Sequence, residues 1–112
     1  MTILIRLILN IAAVGLTAYL LQSGVRIDGW MTTAVVAIVL GAINMFIKPI
    51  VQIIALPINL LTLGLFSLVI NGLMIMLASA LVPGFEVSSF LWSILFSIVL
   101  SVINAVFSSF SK

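Results

Sequence analysis

Four long apolar segments dominate this sequence and determine the solvent in which it can fold. They cover residues 3–21, 30–47, 58–82 and 90–110, and each is long enough for a bilayer-spanning helix, which needs at least about 17 residues. Only 5% of the 112 residues are charged, whereas soluble domains carry about 25%. So few charges cannot cover a water-soluble surface. We therefore predict an all-α integral membrane protein of four transmembrane helices, a single membrane domain over residues 1–112.

The first apolar segment has one alternative interpretation, a cleaved signal peptide, because Arg6 supplies a charged start. The residues at the end of the segment, Leu20, Leu21 and Gln22, are bulky and offer no small-residue cleavage site. The internal repeat described below also requires this helix. We therefore expect the segment to be retained as the first span.

The positions of lysine and arginine predict the orientation. With four spans, both termini and the central connection share one side of the membrane, which carries Arg6, Lys48 and Lys112. Arg26 is the only cation on the opposite side, where the outer loops also hold Asp28 and Glu86. Because cationic residues concentrate in the cytoplasm, we predict that both termini are cytoplasmic.

The connection between the second and third spans forms a predicted cytoplasmic hinge of Lys48, Pro49 and Pro57. Proline suits the first helical position, so Pro49 indicates a helix start, and Pro57 is expected to stop or kink the chain. Residues 50–56 are too few to span a bilayer and too apolar for water. We predict a short interfacial or shallow re-entrant helix over residues 48–57; the alternative is a kinked N-terminal extension of the third span.

The two halves of the chain resemble each other when the sequence is shifted by 60 positions. Asn44 then meets Asn104 and Gly24 meets Gly84, while Asn10 meets Asn71 if one residue is inserted. This pattern predicts two tandem repeated helical hairpins, at about residues 3–47 and 58–110, separated by the linker over 48–57. Because each unit has two spans, the copies share one orientation about an axis along the membrane normal.

Four asparagines lie inside the predicted spans, where an unpaired amide is costly. We expect them to make intramembrane polar contacts with other helices, which orient helices more than they stabilise them. The alternative is a polar path for ions or lipid headgroups. The four residues are Asn10, Asn44, Asn71 and Asn104.

Small residues recur at every fourth position of the second and fourth spans. Such a small-xxx-small stripe allows two helix backbones to approach closely. We expect the serine-bearing part to be covered by protein, either the second span or a neighbouring subunit, and we expect a homo-oligomer. The alternative is a hydroxyl-lined pore. The stripe residues are Thr33, Ala37, Gly41, Ser93, Ser97, Ser101 and Ala105.

Side chains suited to catalysis or metal binding are scarce, because the chain has no histidine and no cysteine. Asp28 and Glu86 are the only carboxylates, and they could approach each other across the repeat axis. A catalytic carboxylate pair is one interpretation; we favour solvated loop charges. We expect no catalytic residue, metal or cofactor, and the net charge of +2 is too small and scattered to suggest nucleic acid.

Four segments together resemble phage holin family 4, the mycobacterial-type four-span phage holin superfamily of small bacterial membrane proteins. They are residues 44–50, 56–66, 69–74 and 82–87, which read NMFIKPI, LPINLLTLGLF, VINGLM and VPGFEV. The first outer loop departs from the pattern, since Gln22, Ser23 and Gly24 stand where a Val-Pro-Gly would be expected. The family name implies a lytic pore, although many similar proteins look like ordinary bacterial membrane proteins, some linked to envelope stress.

These observations predict a non-enzymatic protein of the bacterial inner membrane that assembles with itself or with another membrane protein, in a role in envelope stress or integrity. One alternative is a phage-type holin that forms membrane lesions. Another is a small channel or transporter that uses the amide and serine faces. The lipid bilayer is the expected partner in each case.

Overall fold

A computed structural model describes the backbone of residues 2–110 and the side chains of residues 3–109. Lys112, one of the cations used to predict the orientation, lies outside this range. The elements are α1 (Thr2–Leu20), β1 (Val25–Ile27), α2 (Gly29–Ala42), a π-helical segment (Ile43–Ile47), α3 (Lys48–Leu61), α4 (Phe66–Leu81), β2 (Phe85–Val87) and α5 (Phe90–Phe110). The all-α prediction is confirmed, with a short β-ribbon that the sequence did not reveal.

Within the described residues, three helices are long and apolar enough to cross a membrane: Ile3–Leu20, Gly29–Leu61 and Phe90–Ser109. The fourth apolar helix, α4, is shorter. The third predicted span is not one helix, because residues 58–61 are the last turn of α3 and a turn over residues 62–65 separates them from α4. The division arises at Leu63 and Gly64, whose positive φ angles of 58° and 88° are incompatible with a continuing right-handed helix.

Helix α3 passes through Pro57, which was expected to stop or kink the chain, and ends at Leu61. It therefore extends beyond the predicted linker over residues 48–57. Pro49 lies in the first turn of α3, as predicted. A proline removes only its own N–H from the ladder, and in an apolar environment the helix remains the arrangement that satisfies the other backbone groups.

A continuous helix of 33 residues, Gly29–Leu61, contains α2, the π-helical segment and α3. If it were straight it would be about 50 Å long, which exceeds the longest principal extent of the molecule, 39 Å. A π-helical turn is a common cause of a helix kink. The π-helical segment thus allows α3 to diverge from α2, and α3 packs against α4 and this segment.

The β-ribbon joins the two outer loops. Strands β1 and β2 pair antiparallel, with Arg26 opposite Glu86 at the centre. Strands of three residues are too short to give a recognisable alternation in sequence. Two further backbone hydrogen bonds flank the ribbon, from Asp28 N to Gly84 O (3.0 Å) and from Ser88 N to Gly24 O (2.8 Å).

Four helices form a closed ring in the order α1, α2, α4, α5. Helix α1 packs against α2 and α5, and α4 packs against α5 and α2. Phe85 of the ribbon packs on Phe96 of α5, with ring centroids 5.5 Å apart. The ribbon thus closes one end of the hydrophobic core. The core consists of Val14, Val25, Val36, Ala37, Leu40, Ile43, Met74, Ile75, Ala78, Val82, Phe85 and Phe96.

Helices α4 and α5 approach each other closely at Gly72. A Cβ atom placed on Gly72 would lie 2.8 Å from Ile94 Cγ1 and 3.0 Å from Ser93 Oγ. Ser93 is fully buried. The small residues at this crossing therefore allow close backbone packing, the interaction that drives helix association in lipid.

Replacing Gly72 with leucine should destabilise the protomer, because α4 and α5 would have to separate. Overpacking of a core costs about 1–3 kcal/mol. We expect a loss of this size in the free energy of unfolding, measured by titrating SDS into monomeric protein in mild detergent. Gly41→Leu is the matched control, because nothing lies within 4 Å of a Cβ at Gly41. Equal stability of the two variants would contradict this account of the crossing.

Candidate functional site

Three of the four predicted asparagines come together around one small cavity, which we call the amide cavity. Asn10 comes from α1, Asn44 from the π-helical segment and Asn104 from α5. The volume is about 50 Å³, enough for a few water molecules. The remaining lining residues are Val14, Ala37, Leu40, Gly41 and Leu100.

Helical spacing explains how α2 and the π-helical segment supply one wall of the cavity. Ala37, Gly41 and Asn44 follow each other at intervals of four and three residues, so they share a helix face. Gly41 and Asn44 both line the amide cavity. On α5 the residue that accompanies Asn104 is Leu100, four positions earlier, rather than Ser101.

None of the three amides makes a side-chain hydrogen bond within residues 2–110. Asn10 and Asn44 are exposed on the surface of the protomer, and Asn104 is partly buried. Both exposed amides lie on helical segments long and apolar enough to cross a membrane, where each unsatisfied polar group costs several kcal/mol. The amide cavity therefore has unused hydrogen-bonding capacity that water or another protein must satisfy.

Asn71 lies on α4, is partly buried, and does not line the amide cavity. The sequence reasoning gave no role to another amide, Asn59, whose Oδ1 is buried without a hydrogen-bond partner in the described part of the chain. Asn59 lies near the end of α3. Its position in the segment that carries the family resemblance was the available signal.

The small-residue stripe divides into a buried part and an exposed part. Ser93 and Ser97 are buried, and each hydroxyl donates to a carbonyl of its own helix: Ser93 to Phe90 O (2.5 Å) and Ser97 to Ile94 O (2.8 Å). Hydroxyls bonded in this way do not line a polar path, which favours the packing interpretation.

The rest of the stripe varies in burial. The cover predicted for the serines was the second span or a neighbouring subunit; within the protomer, Gly72 of α4 lies against Ser93. Ala37 is buried, Thr33 is partly buried, and Gly41, Ser101 and Ala105 are exposed.

The charged residues of the outer loops form an exposed cluster on the ribbon. Arg26 contacts both carboxylates, with Nε 3.5 Å from Asp28 Oδ1 and Nη2 3.3 Å from Glu86 Oε2. All three side chains are more than half exposed, and exposed ion pairs of this kind stabilise a fold by about 0–1 kcal/mol. The ribbon thus brings Asp28 and Glu86 to one cation, as solvated charges around Arg26.

Comparison with known proteins supports one family. The family model described as "Mycobacterial 4 TMS phage holin, superfamily IV" matches residues 1–106. The Streptomyces coelicolor protein named "Uncharacterized protein SCO3922" is 34% identical over 116 residues, which cover 96% of this chain and 93% of that protein.

A second relative, "Uncharacterized membrane protein YvlD" of Bacillus subtilis, is 37% identical over 71 residues, which cover 62% of this chain and 60% of that protein. No solved structure shows a significant match. The family match confirms the resemblance seen in the central segments and extends it over four apolar helices. The chain is a membrane protein and belongs to the mycobacterial four-span phage holin superfamily, superfamily IV.

Proposed function

We propose that this protein is a non-enzymatic component of the bacterial inner membrane that functions by assembling with itself or with a membrane partner. The observation that carries the proposal is the amide cavity, where Asn10, Asn44 and Asn104 lack hydrogen-bond partners within residues 2–110. Lipid acyl chains cannot satisfy these amides, whereas an amide or backbone group of another helix can.

Gly41 makes the same face suitable for close contact. It is exposed, it lines the amide cavity, and nothing lies within 4 Å of a Cβ built on it. Small residues at such a position let a second helix approach closely, and interhelical hydrogen bonds then add about 0.6 kcal/mol each on average. In a two-fold symmetric dimer every such bond occurs twice, so these small terms favour one particular interface.

The tandem repeat is part of the proposal, and the ribbon supports it. When residue numbers are shifted by 60, the hydrogen bond from Asp28 N to Gly84 O becomes the bond from Ser88 N to Gly24 O, and both are present. The central pair, Arg26 and Glu86, maps onto itself. Buried positions also correspond: Val36 with Phe96, Ala37 with Ser97 and Ile43 with Ile103. This pattern is expected from two hairpins related by a two-fold axis along the membrane normal.

The proposed orientation places both termini in the cytoplasm and the charged ribbon on the outer side. The positive-inside rule supports it, because Arg6, Lys48 and Lys112 share the side of the termini and Arg26 is alone on the other.

Reporter fusions test this orientation. A fusion at Lys112 should be active only with a cytoplasmic reporter, and an insertion within residues 22–29 only with a periplasmic one. Finding both positions on the outer side would contradict the orientation. An insertion after Arg26 interrupts β1, so an insertion after Ser23, which is exposed before the strand, is the better choice.

The assembly itself is tested by Asn44→Leu, which removes an exposed amide of the cavity. If this amide bonds twice across a symmetric interface, association should weaken by about tenfold. The measurement is the fraction of assembled protein across a dilution series in mild detergent or in vesicles. Gln52→Leu is the matched control, because it removes an exposed amide of α3 away from the cavity. Monomeric parent protein, or equal association of both variants, would contradict the proposal.

Membership of a holin superfamily favours a second candidate function, the formation of membrane lesions. The two functions differ in living cells. Under inducible expression, a self-assembling structural component should leave growth and membrane potential intact. A holin should stop growth abruptly and collapse the potential, and that result would replace our proposal. Ion flux in protein-loaded liposomes, with the Asn44→Leu variant for comparison, tests the remaining candidate, a small channel.

A further inference from the structure

The hairpin made of α3, the turn over residues 62–65 and α4 has no charged residue beyond Lys48, the residue at which α3 begins. Lys48 is followed by none until Glu86. A connection that emerges into the cytoplasm between two spans ordinarily carries polar and charged residues, as water requires. This connection is instead among the most apolar parts of the chain, so its surroundings need an explanation.

The turn and the end of α3 expose leucine almost completely. The exposed fraction is 85% for Leu61 and 94% for Leu63, and Leu60 and Leu65 are also exposed. Four adjacent leucines in water would form a contiguous apolar patch of the kind that marks contact with a membrane or a partner.

Helix α3 is inverted compared with an amphipathic helix on a water-soluble surface. Its inward side holds the only buried residue of the helix, Ala55, and the buried Oδ1 of Asn59. Its outward sides carry bulky aliphatic residues: Ile50, Ile53, Ile54, Leu56, Ile58, Leu60 and Leu61. A helix with an apolar exterior is stable only where that exterior is out of water.

The backbone donors of the turn are satisfied internally, which lowers the cost of placing the turn in hydrocarbon. Gly64 N donates to Asn59 O (2.8 Å) and Leu63 N to Leu60 O (3.4 Å), the paired bonds of a Schellman motif. Thr62 Oγ1 accepts from Phe66 N at the start of α4 (3.2 Å). Each backbone N–H from Thr62 to Leu68 has a partner within the chain. Non-helical backbone normally avoids lipid because its polar groups are unpaired there.

The lengths of the two neighbouring segments agree with a submerged turn. The 14 residues of α2 and the 5 of the π-helical segment rise about 28 Å, close to the thickness of the hydrocarbon layer. The 16 residues of α4 rise only about 24 Å. Both lengths are measured from the ribbon, where α2 begins and α4 ends. By that measure Lys48 reaches the opposite interface, and the turn before α4 does not.

We infer that α3 and the turn are embedded among the lipid acyl chains of the leaflet on the Lys48 side, which the proposed orientation makes the cytoplasmic leaflet. The chain enters this leaflet at Lys48 and does not emerge before α4. The protein therefore occupies one leaflet with five helices and the other with four.

Acyl chains, rather than a second protein copy, fit this surface. Helix association in lipid uses small residues and interhelical hydrogen bonds. The small residue of α3, Ala55, is already buried within the protomer. The surface left outside consists mainly of branched aliphatic side chains on several sides of one helix, with Gln52, one turn from Lys48, as its exposed amide. A fluid lipid can cover such a surface, and a single flat interface cannot.

The test uses the absence of cysteine from the chain. A nitroxide spin label is attached to Leu63→Cys in phospholipid vesicles, and its collisions with oxygen and with a water-soluble nickel chelate are compared. An embedded turn gives several-fold more frequent collisions with oxygen than with nickel. Ile53→Cys should give the same result on α3, while Ser23→Cys, exposed on the outer side, should give the reverse.

Two results would overturn the inference. Nickel collisions at Leu63→Cys as frequent as those at Ser23→Cys would place the turn in water. Low collision rates with both reagents at Leu63→Cys and Ile53→Cys would show that protein covers the surface. Because the label at Leu63 replaces a side chain that is 94% exposed, it should not disturb packing. The comparison does not depend on which leaflet is cytoplasmic, or on whether the protein assembles through the amide cavity.

Discussion

The structure depends on one constraint, that a bilayer offers no water to satisfy backbone N–H and C=O groups. With 65% hydrophobic residues and 5% charged residues, the chain has few polar side chains that could form a water-exposed surface. Helices satisfy their own backbone and therefore account for most of each apolar segment. The same constraint explains why α3 continues through Pro57 and why the turn after it is hydrogen-bonded donor by donor. It also confines the β-ribbon to the outer ends of the helices, where strands of three residues expose their unpaired edges.

Because lipid is as apolar as the helices, burying leucine does not hold the ring of α1, α2, α4 and α5 together. Close packing does so, at positions where small residues let backbones meet, and Gly72 against Ser93 is the clearest of these. The ribbon adds a hydrogen-bonded link between the hairpins, since it pairs the two outer loops directly. Phe85 then packs from the ribbon onto Phe96, so one end of the core is closed by aromatic contact.

The amide cavity holds side-chain polar groups that have no hydrogen-bond partner in the described part of the chain. Several hydroxyls are satisfied by their own helices, as Thr17 Oγ1 donates to Ala13 O at 2.7 Å. An asparagine side chain has two N–H donors and a carbonyl acceptor, which a single carbonyl of its own helix cannot all satisfy. Its partner must come from another element, and for Asn10, Asn44 and Asn104 none is supplied within residues 2–110. The amide cavity therefore has unused hydrogen-bonding capacity, which the proposed self-assembly would satisfy.

The sequence by itself determined the solvent, the helical class and the positions of the polar exceptions, because each follows from composition or local spacing. The family was indicated separately, by the resemblance of four segments to known proteins. Asn44 and Gly41 could be assigned to one face by helical periodicity alone. The tertiary structure decided which amides meet: Asn10 and Asn104 join Asn44 while Asn71 does not, since that depends on helix order and rotation in the ring. It also decided that the third apolar segment breaks at Leu63, because an apolar run does not record where the backbone turns left-handed. The ribbon was hidden for a related reason, as three-residue strands form only when two distant loops are brought together.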